Sequence, residues 1–166
     1  MTPRTLALGD APGRGIVVAS WVCFAIVAIV VVPLALGLDA LESTVVIVSL
    51  LSFGFGFLLW IVAFFAALAR TARGDDIAVS TWVFLAGSAP TAVRNNLMLA
   101  AGLTLGLAVA TTGVSPFVWL TNLLPLAFAA WWGARHGTFP PRPQRPGPPG
   151  PRGSDRGGVQ RGRSGK

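Results

Sequence analysis

Arg70-Thr-Ala-Arg-Gly-Asp-Asp-Ile-Ala-Val-Ser-Thr-Trp-Val-Phe-Leu-Ala-Gly-Ser-Ala-Pro-Thr-Ala-Val-Arg-Asn-Asn96 decides how many times this chain crosses a membrane. Arg70, Arg73, Asp75, Asp76 and Arg94 bracket an uncharged stretch from Ile77 to Val93. A helix of that length sits at the lower limit for crossing a hydrocarbon core of about 30 Å, and Gly87 and Pro90 interrupt it. If it crossed, Arg94 and the eight cations from Arg135 to Lys166 would change sides. The positive-inside rule argues against that. The stretch is therefore predicted to be an interfacial or re-entrant helix over about residues 77–86, with Trp82 at headgroup depth. Asp75 and Asp76 suit the N-terminus of that helix, where negative charge meets the positive end of the helix dipole. The rival reading, a divalent-ion site shared with lipid phosphates, leaves most ligands of a hard cation unfilled. Ser88 is placed to cap the next helix, with Pro90 in its first turn.

Outward from that loop lie four apolar segments, at about residues 16–38, 43–69, 96–113 and 117–134. The third helix is expected to start ahead of its apolar run, near Ala89. The chain of 166 residues is 53% hydrophobic and 11% charged, with a mean hydropathy of +0.67. Soluble domains carry about 25% charged residues, and here the apolar excess is gathered into long uncharged runs, the pattern of membrane spans. The first run has a rival reading as a signal peptide, with Ala35-x-Gly37 as a cleavage-like site. It is longer than the core of about 7–15 residues that such signals use. The predicted fold class is all-α: a four-span bundle with a short interfacial helix in its middle loop.

The flanks are polar. Residues 1–15 and 137–166 are predicted to be disordered; the second is a basic tail of Pro, Gly and Arg with almost nothing to bury. Loop charge alternates along the chain. Arg4 and Arg14 precede the first span, Asp39 and Glu42 follow it, Arg70, Arg73 and Arg94 lie in the middle loop, and the remaining cations follow the fourth span. Both termini are therefore expected in the cytoplasm, the host membrane being the plasma (inner) membrane.

Chemistry-bearing patterns are scarce. The chain holds no Gly-rich phosphate loop, HExxH, CxxC or GxSxG, and its single cysteine, Cys23, lies in an apolar run. No catalytic residue, metal site or cofactor is assigned, and the chain is expected not to be an enzyme. His136, the only histidine, reads as a headgroup contact more readily than as an acid–base, which needs a positioned partner. The spans carry no ionisable residue, whereas ion-coupled transporters and proton relays normally place one there. Gly102-x-x-x-Gly106 offers a smooth face, either for a second copy or for packing within the bundle. Asn122 is read as a hydrogen-bonding packing residue, with a pore-lining role as the rival. The tail's cations would be drawn to anionic headgroups, and the plainer reading, which is preferred, is a topology anchor with a low-complexity extension; with Phe139 as its one aromatic it lacks a stacking platform, so nucleic acid is disfavoured.

Arg73-Gly-Asp-Asp-Ile-Ala-Val, Phe84-Leu-Ala-Gly-Ser-Ala-Pro and Trp132-Gly-Ala-Arg-His-Gly-Thr-Phe-Pro-Pro-Arg142 resemble a group of small uncharacterised multi-pass membrane proteins of actinobacteria. The likeness covers roughly a third of the chain, and it implies location and architecture but no activity. Its two stretches, Arg73 to Arg94 and Trp132 to Arg142, fall on one predicted cytoplasmic face. That face, comprising Arg70, Arg73, Asp75, Asp76, Arg94, Arg135, His136 and Arg142, is the candidate interaction surface. The reading drawn from the sequence is a non-enzymatic accessory or scaffold protein whose basic face meets a protein partner or anionic lipid. The alternative is an oligomeric channel or small-solute transporter subunit lined by Thr121, Asn122 and the glycine face.

Overall fold

The computed structural model describes residues 8–142, and they form an all-helical chain. Five α-helices follow in order: α1 (Arg14–Ala35), α2 (Glu42–Ala72), α3 (Val79–Trp82), α4 (Thr91–Ala110) and α5 (Leu123–His136). Short 3-10 helices at Asp39–Leu41 and Pro116–Asn122 lead into α2 and α5. Four helical segments are long and apolar enough to cross a membrane: Arg14–Ala35, Asp39–Ala72, Thr91–Ala110 and Pro116–His136. The outward faces of α1 and α2 stay apolar, with Ile29 71% and Leu51 68% exposed. That is the surface a lipid-facing helix requires, because its backbone bonds are internal and its side chains need no water.

The two turns that end α1 and α2 share one device. Gly37 and Gly74 adopt φ of 97° and 106°. The N–H of Gly37 bonds to Leu34 and that of Leu38 to Pro33; the N–H of Gly74 bonds to Thr71 and that of Asp75 to Arg70. These are Schellman closures, which satisfy the last helical carbonyls and need a left-handed residue where glycine carries no Cβ penalty. Pro33 lies inside the last turn of α1, so its missing N–H interrupts the helix only at its end.

Helix α5 is the axis of the bundle, touching α1, α2, α3 and α4. Ala127, Ala129, Ala130 and Trp132 are fully buried along it. Gly56, within Phe53-Gly-Phe-Gly-Phe57, explains how α2 approaches so closely. A Cβ there would lie 3.0 Å from the Cα and N of Leu124, so the two backbones cross with nothing between them. Gly54 faces open space.

The middle loop departs from the sequence expectation. The helix predicted over residues 77–86 is a single turn, Val79–Trp82. The Thr81 hydroxyl accepts the N–H of Ala78 and donates to its carbonyl, closing the turn on itself. Leu85 then takes φ 55° and Gly87 φ 76°, folding the chain back before a second turn can form. A left-handed leucine costs about 1–3 kcal/mol. Burying the side chain from water contributes about 1.5–3 kcal/mol, and Leu85 is fully buried against the Val17, Leu97 and Trp132 cluster. Trp82, expected among headgroups, turns inward. Its Nε1 donates to the Ala130 carbonyl at 2.8 Å, and its ring lies 5.5 Å from that of Trp60.

The predicted caps are also replaced. The carboxylate of Asp75 turns back to Arg70, and the N-cap of α3 is Ala78. The Ser88 hydroxyl donates to the carbonyl of Thr81, leaving Pro90 to open α4 without a side-chain cap. Asn122, expected to bond a neighbouring helix, donates to the Trp119 carbonyl three residues back, within its own 3-10 segment. The flanks are ordered closer to the bundle than expected. Pro12 accepts a bond from Trp132 Nε1 at 2.9 Å, and residues 137–142 are tied to the middle loop. The remainder of the two predicted disordered flanks, residues 1–7 and 143–166, lies outside the described residues.

Candidate functional site

The Schellman turn at Gly74 brings Arg70 and Asp75 together, five residues apart and beyond ordinary helical pairing. Arg70 Nε donates to Asp75 Oδ2 at 2.7 Å. Its Nη1 donates to the carbonyls of Gly137 at 2.9 Å and Ala134 at 3.3 Å. Its guanidinium lies 4.7 Å from the centroid of the Phe139 ring. One side chain thus joins the end of α2, the loop after it and the end of α5. It also places a cation on the negative terminus of α5.

Residues 137–142 run as a strap over the same loop. Asp76 N–H bonds to Pro140 O at 2.9 Å, and Arg142 N–H to Gly74 O at 2.8 Å. Thr138 N–H bonds to Ser88 O at 3.0 Å. Each bond of about 1 kcal/mol net is modest alone, but together they connect residues 50 to 68 positions apart in the chain.

The clamp borders an open cleft of about 500 Å³ between the C-terminal ends of α2 and α5. Alanines Ala66, Ala69 and Ala134 line it, with Arg70, Arg73, Trp131 and Arg135. Arg135 stands 5.7 Å from the centroid of the Trp131 ring. A second open cleft, about 380 Å³, lies on the other side of Trp131 and Arg135 and reaches His136, Gly13 and Ile16. Gly13 is positioned by necessity. A Cβ there would fall 2.5 Å from Trp132 Nε1 and 2.7 Å from the His136 ring.

Of the residues singled out from sequence, Arg70, Arg73 and Arg135 share the first cleft, and His136 lies in the second. Asp75 is Arg70's partner; Asp76 and Arg142 take part through their backbone N–H groups. Arg94 sits in the first turn of α4 and lines neither cleft. Among the described residues no three His, Cys, Asp or Glu side chains converge as a metal site would require. Gly102 and Gly106 do not pack within the bundle: a Cβ at either would meet nothing within 4 Å. Gly102 and Asn122 line one apolar cavity of about 230 Å³, whereas Thr121 is buried and donates to Val118 O. Three contributors were not assigned to this surface from the sequence: Phe139, Trp131 and Gly133. Gly133 had a usable signal, a glycine inside an apolar helix, which often marks close backbone approach. A Cβ there would strike the carbonyl oxygen of Trp82.

Fold and site together define a class: an all-helical multi-pass membrane protein with a basic, aromatic-walled cleft at one end of its bundle. No protein-family model, curated protein or solved structure matches the chain.

Proposed function

We propose that this chain is a non-enzymatic accessory or scaffold protein of the plasma (inner) membrane, related to the actinobacterial group it resembles. Both termini lie in the cytoplasm, and the arginine-rich end meets a protein partner or anionic lipid. One observation carries the reading: the arginines of the described residues, Arg14, Arg70, Arg73, Arg94, Arg135 and Arg142, all gather at the end of the bundle where α1 and α4 begin and α2 and α5 finish. The opposite end carries Asp39 and Glu42. The positive-inside rule assigns the arginine end to the cytoplasm, and the strap gives that end a defined surface. The middle loop lies at the membrane boundary in this reading.

The test is photo-crosslinking in native membranes from position 76 and, as a control, from position 42. A specific protein or lipid adduct from position 76 alone supports the reading. Adducts only between copies of the chain, equal from both positions, would sink it. Labelling of a cysteine placed at position 76 from outside the cell would overturn the orientation. The second reading, an oligomeric channel or transporter subunit, draws support from the cavity shared by Gly102 and Asn122. Solute flux into liposomes that disappears in Asn122→Leu would favour it.

A further inference from the structure

We propose that the cleft between α2 and α5 binds the phosphate of an anionic phospholipid, held by Arg73 and Arg135 against Trp131. The inference rests on the proposed orientation, with the arginine end toward the anionic leaflet, and names the ligand of that face.

Four observations converge on the cleft. Arg70 is engaged, since Asp75 and two carbonyls take up its donors. Arg73 and Arg135, which line the same space, form no ion pair among the described residues. Two exposed cations flanking one cleft favour a phosphate, whose oxygens match the guanidinium fork.

The helix termini are the second point. Two helices present their C-terminal ends here, and bare carbonyls would repel an anion. The bonds from Arg70 cover the carbonyls of Ala134 and Gly137, two residues of the cleft lining, and the Schellman turn covers the carbonyls of Arg70 and Thr71 at the end of α2.

Third, Trp131 is half-buried and lines the cleft, and its indole N–H, like that of Trp60 and unlike those of Trp21, Trp82, Trp119 and Trp132, finds no acceptor among the described residues. An amphipathic ring with a spare donor suits the headgroup and glycerol region. Fourth, the cleft wall includes half-buried Ala66 and exposed Ala69 of α2, small residues that leave room for the lipid's glycerol backbone and the start of its acyl chains. A free phosphate has no use for that apolar extension, and the proposal therefore commits to the lipid. Asp76, the nearest carboxylate in sequence that forms no ion pair among the described residues, does not line the cleft.

The experiment is native mass spectrometry of the full chain released from nanodiscs of phosphatidylglycerol mixed with phosphatidylcholine. Wild type should retain phosphatidylglycerol selectively. Arg73→Gln combined with Arg135→Gln should lower that retention about tenfold or more, given roughly 1 kcal/mol for each cation at a membrane surface. Ala69→Phe, which fills the cleft and keeps both cations, should lower it as well, and unchanged thermal unfolding of both variants guards against misfolding. Equal retention of the two lipids, or full retention by both variants, overturns the proposal. Displacement of the lipid by inorganic phosphate reassigns the cleft to a soluble anion and overturns it too. Cysteine labelling at position 76 separates the two readings. A correctly oriented protein without lipid selectivity loses only this proposal, whereas a reversed one loses the proposed orientation as well.

Discussion

The two ends of the bundle are held by different kinds of bond. At the arginine end the hydrogen bonds reach far along the chain: Arg70 to Gly137, Trp82 to Ala130, Trp132 to Pro12, Thr138 to Ser88. At the opposite end they are local: Thr111 to Leu107, Thr112 to Ala108, Trp119 to Thr112, Asn122 to Trp119. That end is held across the bundle by apolar contacts among Val31, Leu34, Val45, Ala108 and Val118. Long-range bonds hold separate segments in one arrangement. Local bonds satisfy each helix and leave its neighbours to packing. The arginine end is therefore built as a fixed surface and the acidic end as a set of turns.

Matched substitutions at the two ends test this contrast. The largest expected effect is Gly133→Val, which drives a side chain into the Trp82 carbonyl. It should cost about 3 kcal/mol, as overpacking against backbone does, seen as a lower midpoint of thermal unfolding in detergent. Arg70→Met comes next. It strands the Asp75 carboxylate and two carbonyls, for a loss of about 2 kcal/mol, with faster proteolysis between residues 73 and 78 as a second readout. Trp82→Phe keeps the ring packing and removes one bond to Ala130, so about 1 kcal/mol is expected. At the far end, Thr112→Val removes the acceptor of Trp119 on an exposed surface and should shift stability by less than about 0.5 kcal/mol. A cost there as large as that of Arg70→Met would abolish the distinction between the ends. Gly102→Val sharpens it, because the bundle leaves that position open. Unfolding should not move for a monomer, and a clear loss would show that a second copy closes over the glycine face.

The same division marks what could be read from the sequence. Apolar length is a local property, so the four spanning segments were legible, with edges displaced by the glycine closures at Gly37 and Gly74. The choice of four crossings over five was legible too, because the arginines flank the weak segment. The strap was not: Phe139-Pro-Pro-Arg142 has the composition of a linker, and its order comes from partners at Gly74, Asp76 and Ser88 that no local pattern encodes. Arg70 and Asp75 stood out as charges, but their pairing depends on the turn at Gly74. Asn122 was misread for the opposite reason. A 3-10 turn offers it a carbonyl three residues back, so it needs no second helix.

That 3-10 segment also sets how thick a bilayer the fourth crossing can match. Alone, α5 has 14 residues and at the α-helical rise would reach only about 21 Å. The seven residues of Pro116–Asn122 advance by about 2.0 Å each instead of 1.5 Å. The 21 residues from Pro116 to His136 therefore extend roughly 35 Å, enough to carry Arg135 clear of a hydrocarbon layer of about 30 Å. Helix α2, with 31 residues, extends about 46 Å and meets the same layer only by tilting or by projecting beyond it. Where α2 projects, the ion pair at its end lies within reach of water, and the two adjoining segments would fit one membrane by unequal means: the shorter stretched, the longer inclined or projecting.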